Sequence, residues 1–318
     1  MRSSKRMPSY KVDFWTALEN VRRQGAQIIR NEAYLWYAAM TKDAAQRSMR
    51  TFYEVVKAKQ RKPLKTMSPL YARIRQQARY IVSRFPQPAF YRDFARSVSI
   101  SRKIFQTDPL LQTLFAFVSK YLDEDLGHGQ DHAIKVAIDA GALMLIEGIR
   151  RGYSETFAAQ RASIVQSAGL LHDIKRKMKN HAMEGAIYAR QVLQSYSYEK
   201  SDIEDISQAI RNHEAFQPEM RIDTLDGALV SDCLYDADKF RWGPDNFMDT
   251  VWDMVSYYNL PLSDFLARYP RSMEKIASIK RTFRTGTGQM YGPEFIDIGI
   301  AIGKELLKYI QAEFACED

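Results

Sequence analysis

Ser167–Lys177 reads SAGLLHDIKRK, an apolar run that reaches His172-Asp173 and then turns basic at Lys175, Arg176 and Lys177. A neutral imidazole and a carboxylate side by side at the polar end of an apolar helix are costly to bury unless something such as a metal ion uses both. This doublet is therefore the expected centre of the protein. His172 and Asp173 are expected near the C-terminal part of this helix, roughly 100° apart around its axis, close enough for both side chains to lean onto one ion.

The other histidines gather around it. The chain has five, His128, His132, His172, His181 and His213. They occur in the order GHGQDHAIKV, LLHDIK, NHAMEGA and IRNHEAF, and YDADKFRWG with Asp236 and Asp238 follows. His128 and His132 stand at i and i+4, but the glutamate that a zinc protease needs after the first histidine is replaced by Gly129, so that chemistry is set aside.

This order of motifs resembles the HD superfamily of metal-dependent phosphohydrolases. The resemblance spans roughly residues 120 to 250 and implies an all-α fold, an HD-domain helical bundle, here with a basic N-terminal helical region and extra C-terminal helices. It implies that His132, His172, Asp173 and Asp238 bind a divalent metal ion. Asp238 is preferred to Asp236 because the last ligand of the family usually precedes a basic residue, as in Ala237-Asp238-Lys239, and Asp236 stays open. His181 and His213 match the extra histidines of members with two metals, so one or two ions per chain are expected. A nitrogen and oxygen donor set suits Mn, Fe, Co, Ni or Zn.

The implied activity is hydrolysis of a phosphate ester, of a nucleotide or related phosphorylated small molecule, by a metal-activated water. In that scheme Asp173 ligates and handles the water proton. Lys175, Arg176, Lys239 and Arg241 are candidates for steadying phosphate charge, and His128 is a candidate pocket residue. The bland readings are a solvated helix end for the cations, a loop position for His128, and hydrogen-bonded core histidines with a capping Asp173 for the rest. The doublet is followed by Ile-Lys-Arg, which lacks the Glu-Asp of alarmone hydrolases and the Gly-His-Pro of dNTP triphosphohydrolases. The downstream Gly-Tyr-Pro of cyclic-di-GMP phosphodiesterases is also missing. The alternative from another class is a non-catalytic metal- or ligand-binding module that scaffolds a nucleic-acid, membrane or protein partner.

That alternative arises from charge. The net charge of +8 is a sum of opposites. Residues 1 to 105 carry 23 Lys and Arg against 6 Asp and Glu, and residues 106 to 318 carry 23 against 32. The first region also holds 15 of the 38 aromatic residues. Interleaved cations and rings suit a nucleic acid, an anionic membrane surface or another acidic partner, but charge footprints alone are weak evidence, and an ordinary solvated face or a dock for the acidic remainder of the chain accounts for them more readily. The expected division is 1–105 as accessory region and 106–318 as the HD-like domain.

No stretch approaches the roughly 18 uncharged residues of a membrane span. Cys233 and Cys316 make no disulfide framework, so a soluble, cytoplasmic protein is expected. Helical periodicity predicts helices over 13–60, 69–84, 109–122, 130–151, 154–175, 181–194, 201–213 and 225–240, with three more to residue 314. Ser201-x-x-Glu204 reads as a capping box and 283–293, FRTGTGQMYGP, as a Gly-rich loop.

Overall fold

Asp108-Pro109 and Ser68-Pro69 open their helices in the same way. Each polar side chain accepts backbone N–H groups of the first turn, and proline occupies the position whose N–H has no partner within the helix. The computed structural model describes residues 67–122 and 129–314. The expected helix over 13–60, His128 and Cys316 lie outside the described residues.

Twelve α-helices account for the described chain, which contains no strand. They are α1 (Pro69–Ser83), α2 (Ala89–Asp93), α3 (Ala95–Thr107), α4 (Pro109–Val118), α5 (Gln130–Arg150), α6 (Glu155–Leu171), α7 (His181–Leu193), α8 (Lys200–Arg211), α9 (Leu225–Phe240), α10 (Val251–Tyr258), α11 (Leu262–Ser278) and α12 (Gly286–Phe314). The all-α expectation holds. None of the described helices is long and apolar enough to cross a membrane.

α5 is the axis of the bundle. Val136, Ala137, Ala140, Leu143 and Met144 are fully buried in it because α3, α6 and α9 cover it on successive sides. A helix that is apolar nearly all round can only be a central one. α5 and α6 approach so closely at Gly169 that a Cβ there would stand 2.7 Å from the Cα of Ala137. That spacing sets how near the C-terminal end of α6 lies to the N-terminal turn of α5.

The acidic remainder of the chain meets part of the basic front region. On α1, Arg75 pairs with Asp249 at 2.7 Å and Asp253 at 3.2 Å, and Arg79 pairs with Asp249 at 2.6 Å. Arg84 reaches Glu305 at 2.8 Å. The opposite face of α1 buries Tyr71, Ile74, Ala78 and Ile81 in the common core. Nothing among the described residues shows a nucleic-acid or membrane partner.

Three local readings differ from the structure. α6 ends at Leu171 instead of running on to about Lys175, and His172 is its C-cap. α8 starts at Lys200 after an extended Glu199, so Ser201 lies inside the helix and forms no capping box. Within 283–293, everything from Gly286 onward belongs to α12. Glycines disfavour a helix by local propensity, but here tertiary contacts override it. Asp236 of α9 accepts the N–H groups of Arg284 and Thr285, both at 2.8 Å, and Glu147 of α5 accepts that of Thr287 at 2.9 Å. Two buried carboxylates thus satisfy backbone donors at the positive end of α12.

Candidate metal centre

Among the described residues, His132, His172, Asp173, His181, His213 and Asp238 sit at helix ends or in the turns beside them, and these ends meet on one side of the bundle. His132 is in the first turn of α5, His172 caps α6, and Asp173 follows in the turn. His181 opens α7, His213 follows the C-cap of α8, and Asp238 is in the last turn of α9. Every one of these side chains is buried. Three of the helices present C-terminal ends, whose partial negative charge favours a cation.

Two groups result. In the first, His132 Nε2 and His172 Nε2 are 3.2 Å apart. Asp173 Oδ2 lies 3.7 Å from the former and 3.2 Å from the latter, and Asp238 Oδ1 lies 3.4 and 3.7 Å from the same two nitrogens. In the second group, Asp173 Oδ1 is 3.6 Å from both His181 Nε2 and His213 Nε2, which are 3.3 Å from each other. The two oxygens of Asp173 therefore address different groups.

Neighbouring hydrogen bonds turn two of the imidazoles so that Nε2 faces the groups. His172 donates Nδ1–H to the carbonyl of Gly169 at 2.8 Å, and His213 donates Nδ1–H to the carbonyl of Ile210 at 2.6 Å. In both cases the carbonyl is three residues back at a helix end, and the Nε2 lone pair is left to face the group. Convergent imidazole nitrogens and carboxylate oxygens at these separations could hold a transition-metal ion at each group.

Electrostatics follow from burial and close charges. Burial works against the charge of Asp238, but Lys239, His132 and His172 outweigh it and hold the carboxyl well below the usual range. For His172, burial is outweighed by Asp173 and Asp238, which raise its pKa. His181 is pushed down to about 4 by burial, with Asp173 opposing and His213, Arg176 and His172 adding to the shift.

The other residues singled out in the sequence fall in several places. Arg176 lies beside the second group, donating to His181 Nε2 at 2.9 Å and standing 3.7 Å from Asp173 Oδ1. Lys175 turns away, with its ammonium 3.7 Å above the ring of Tyr188. Lys239 is buried and donates to Asp238 Oδ2 and to the carbonyl of His213, tying the two groups together from behind. Arg241 is one turn beyond Asp238, bonded to Asp139, to Asp245 at 2.6 Å and to the hydroxyl of Tyr91 at 2.7 Å. Asp236 faces the start of α12, away from the histidines.

Sequence reasoning missed Asp139, Tyr91 and Asp245, which form a charged cluster with Lys135 and Arg241 beside the first group. Lys135 pairs with Asp245 at 2.6 Å. Asp139 had a visible signal, being a lone acid in the apolar run VAIDAGALML, seven residues after His132 on the same face of α5. Burial raises the pKa of Asp139, and Arg241 and Tyr91 oppose the rise.

A family-model match agrees with the motif order. The family model of the HD domain matches residues 129–242. A solved structure from an uncultured Thermotogales bacterium, described as a predicted HD superfamily hydrolase, is 19% identical. The alignment covers 69% of this chain and 92% of that one, with a TM-score of 0.33. No curated protein matches the chain.

Proposed function

We propose that the HD domain of residues 129–242 is a metal-dependent phosphohydrolase that cleaves a phosphate ester, its substrate a nucleotide or a related phosphorylated small molecule. The observation that carries this reading is the Asp173 carboxylate, with Oδ2 3.2 Å from His172 Nε2 and Oδ1 3.6 Å from His213 Nε2. One carboxylate shared by two nitrogen-rich groups suits a centre that holds charge on both sides of a reacting water.

His132, His172 and Asp238, with Asp173 Oδ2 beside them, would hold one divalent ion, and Asp173, His181 and His213 a second. When bound, such ions lower the pKa of a water and polarise the phosphoryl group. Asp173 would accept a proton from the attacking water, whose oxygen would replace the alcohol on phosphorus as the ester P–O bond breaks, and the alcohol would leave with a proton. Lys239 keeps Asp238 ionised and oriented, and the Gly169 and Ile210 carbonyls keep His172 and His213 turned inward. Arg176, beside Asp173, is placed to offset charge on the phosphate oxygens.

The test pairs elemental analysis with phosphate release. Protein purified without chelator or metal-affinity tag should carry about one or two equivalents of a transition metal and hydrolyse phosphate esters. Asp173→Ala should lose the metal and about 10²–10⁴-fold in rate. No metal in either protein, even after incubation with Mn or Ni, would overturn the proposal.

A further inference from the structure

Beside the first metal group lies a cavity of about 640 Å³, within the size range of small-molecule sites. Its far walls come from α1–α3 and their connections, through Phe85, Pro88, Tyr91 and Val98. These four residues precede the stretch matched to the HD domain, while Ile134, Lys135, Ile138, Asp139 and Arg241 on the near side lie within it. Ile138 of α5 and Phe295 of α12 complete a ring-bearing, largely apolar wall, and Ser99, Arg102, Lys135, Asp139, Arg241 and Asp245 add polar and charged groups to the lining.

The two helices that carry His132 and Asp238 also line this cavity. On α5, His132 is followed one turn later by Lys135 and two turns later by Ile138 and Asp139, all but His132 lining the cavity. From α9, Asp238 is followed one turn later by Arg241, and then by Asp245. A smaller cavity of about 230 Å³ contains His132 and shares Lys135, Arg241 and Asp245 with the larger one. One helical turn rises about 5.4 Å, so the apolar space begins about one turn from the first metal group. The cations nearest the junction are already matched by acids, Lys135 by Asp245 and Arg241 by Asp139 and Asp245. The junction is therefore close to neutral and favours a polar bond over a second phosphate.

We infer that this cavity receives the organic half of the substrate, an apolar, ring-bearing alcohol whose phosphate monoester reaches the first metal group through the junction at Lys135 and Arg241. This rests on the phosphohydrolase reading and deepens it. Sugar phosphates and pyrophosphate would leave the ring-lined space filled by water and gain nothing from it. In the reaction the P–O bond to this alcohol breaks, water supplies the new oxygen on phosphorus, and the alcohol departs protonated into the apolar space.

The experiment compares two esters with leaving groups of similar basicity, ethyl phosphate and 2-(1-naphthyl)ethyl phosphate, on the full chain loaded with Mn. Binding of the free alcohol, 2-(1-naphthyl)ethanol, to metal-free protein is measured in parallel by calorimetry. Ala95→Trp and Val98→Trp fill the cavity from α3, Ala95 from an exposed rim position that tolerates a large side chain. The expected result is a KM about 10- to 100-fold lower for the naphthyl ester, binding of the alcohol without metal, and loss of both in the tryptophan variants. Hydrolysis of both esters with equal KM, or alcohol binding that survives in folded variants, would overturn the assignment while leaving the hydrolase standing. Alcohol binding that the variants abolish, with no ester hydrolysed by any protein, would support the cavity and remove the phosphohydrolase.

Discussion

His132 Nε2 and His172 Nε2 face each other at 3.2 Å across the ends of α5 and α6. His172 has given its Nδ1 hydrogen to Gly169, so its Nε2 presents a lone pair, and the oxygens of Asp173 and Asp238 close the same space. A shared cation would relieve this crowding of electron-rich atoms. Metal-free protein titrated with Mn, Ni or Zn should melt several degrees higher, since an ion at about 100-fold over its Kd stabilises by about 2.7 kcal/mol. His132→Ala should show little of the rise. Identical melting curves with and without metal, for every ion tried, would speak against this group as a metal site.

Arg176 competes for the second group. Its guanidinium donates to His181 Nε2 at 2.9 Å, so a cation bound there has to displace it and sit beside a fixed positive charge. Arg176→Gln is expected to raise the bound metal from about one towards two equivalents at limiting ion, read by elemental analysis. Rates at saturating substrate should fall about tenfold or more as the phosphate loses a cation. Unchanged stoichiometry over a full titration would contradict the competition.

Gly169 sets the distance between the two halves of the first group. A methyl group there would stand 2.7 Å from the Cα and 2.9 Å from the backbone N of Ala137, and backbone cannot step aside as a flexible side chain can. Gly169→Ala should cost about 1–3 kcal/mol by denaturant unfolding, the range for overpacked interiors. It should also weaken metal binding, because α6 carries His172 away from His132. Full metal affinity in a destabilised Gly169→Ala protein would show that the two effects are separate.

Asp232 supplies a pH dependence remote from the histidines. Burial, with Glu219, pushes its carboxyl up to about 6 against Arg284 and Arg151, while the unfolded value is 3.8. The folded state thus binds this proton more tightly than the unfolded state. The group's contribution to stability falls as pH rises from about 4 to about 6 and stays low above that. Asp232→Asn should gain about 1–2 kcal/mol over the wild type at pH 7.5 and far less near pH 4. Equal gains at both pH values would place the cause elsewhere.

Much of the bundle was legible because its signals are local. Ser68, Asp108, Ser154 and Thr224 all cap helices, and each accepts a nearby backbone N–H. Where local and tertiary forces disagreed, the tertiary ones prevailed. The glycines of 283–293 read as a loop, but Glu147 and Asp236, far away in sequence, turn the segment from Gly286 into helix. The apolar run into His172 read as continuous helix, yet the chain turns at Leu171, and that turn lets the Asp173 oxygens point two ways.

The residue types that can bind a metal, their order along the chain and the all-α class were determined by the sequence alone, because periodicity, capping and the order of the His and Asp motifs are properties of short segments. Which of those residues meet was decided by the tertiary structure. Lys239 and Arg241 look alike as cations following Asp238, but helix phase sends Lys239 behind the ligands and Arg241 toward Asp139, Asp245 and Tyr91. The cavity beyond them exists only because α3, α5 and α12 are packed together, and packing between distant segments leaves no local pattern in a sequence to read.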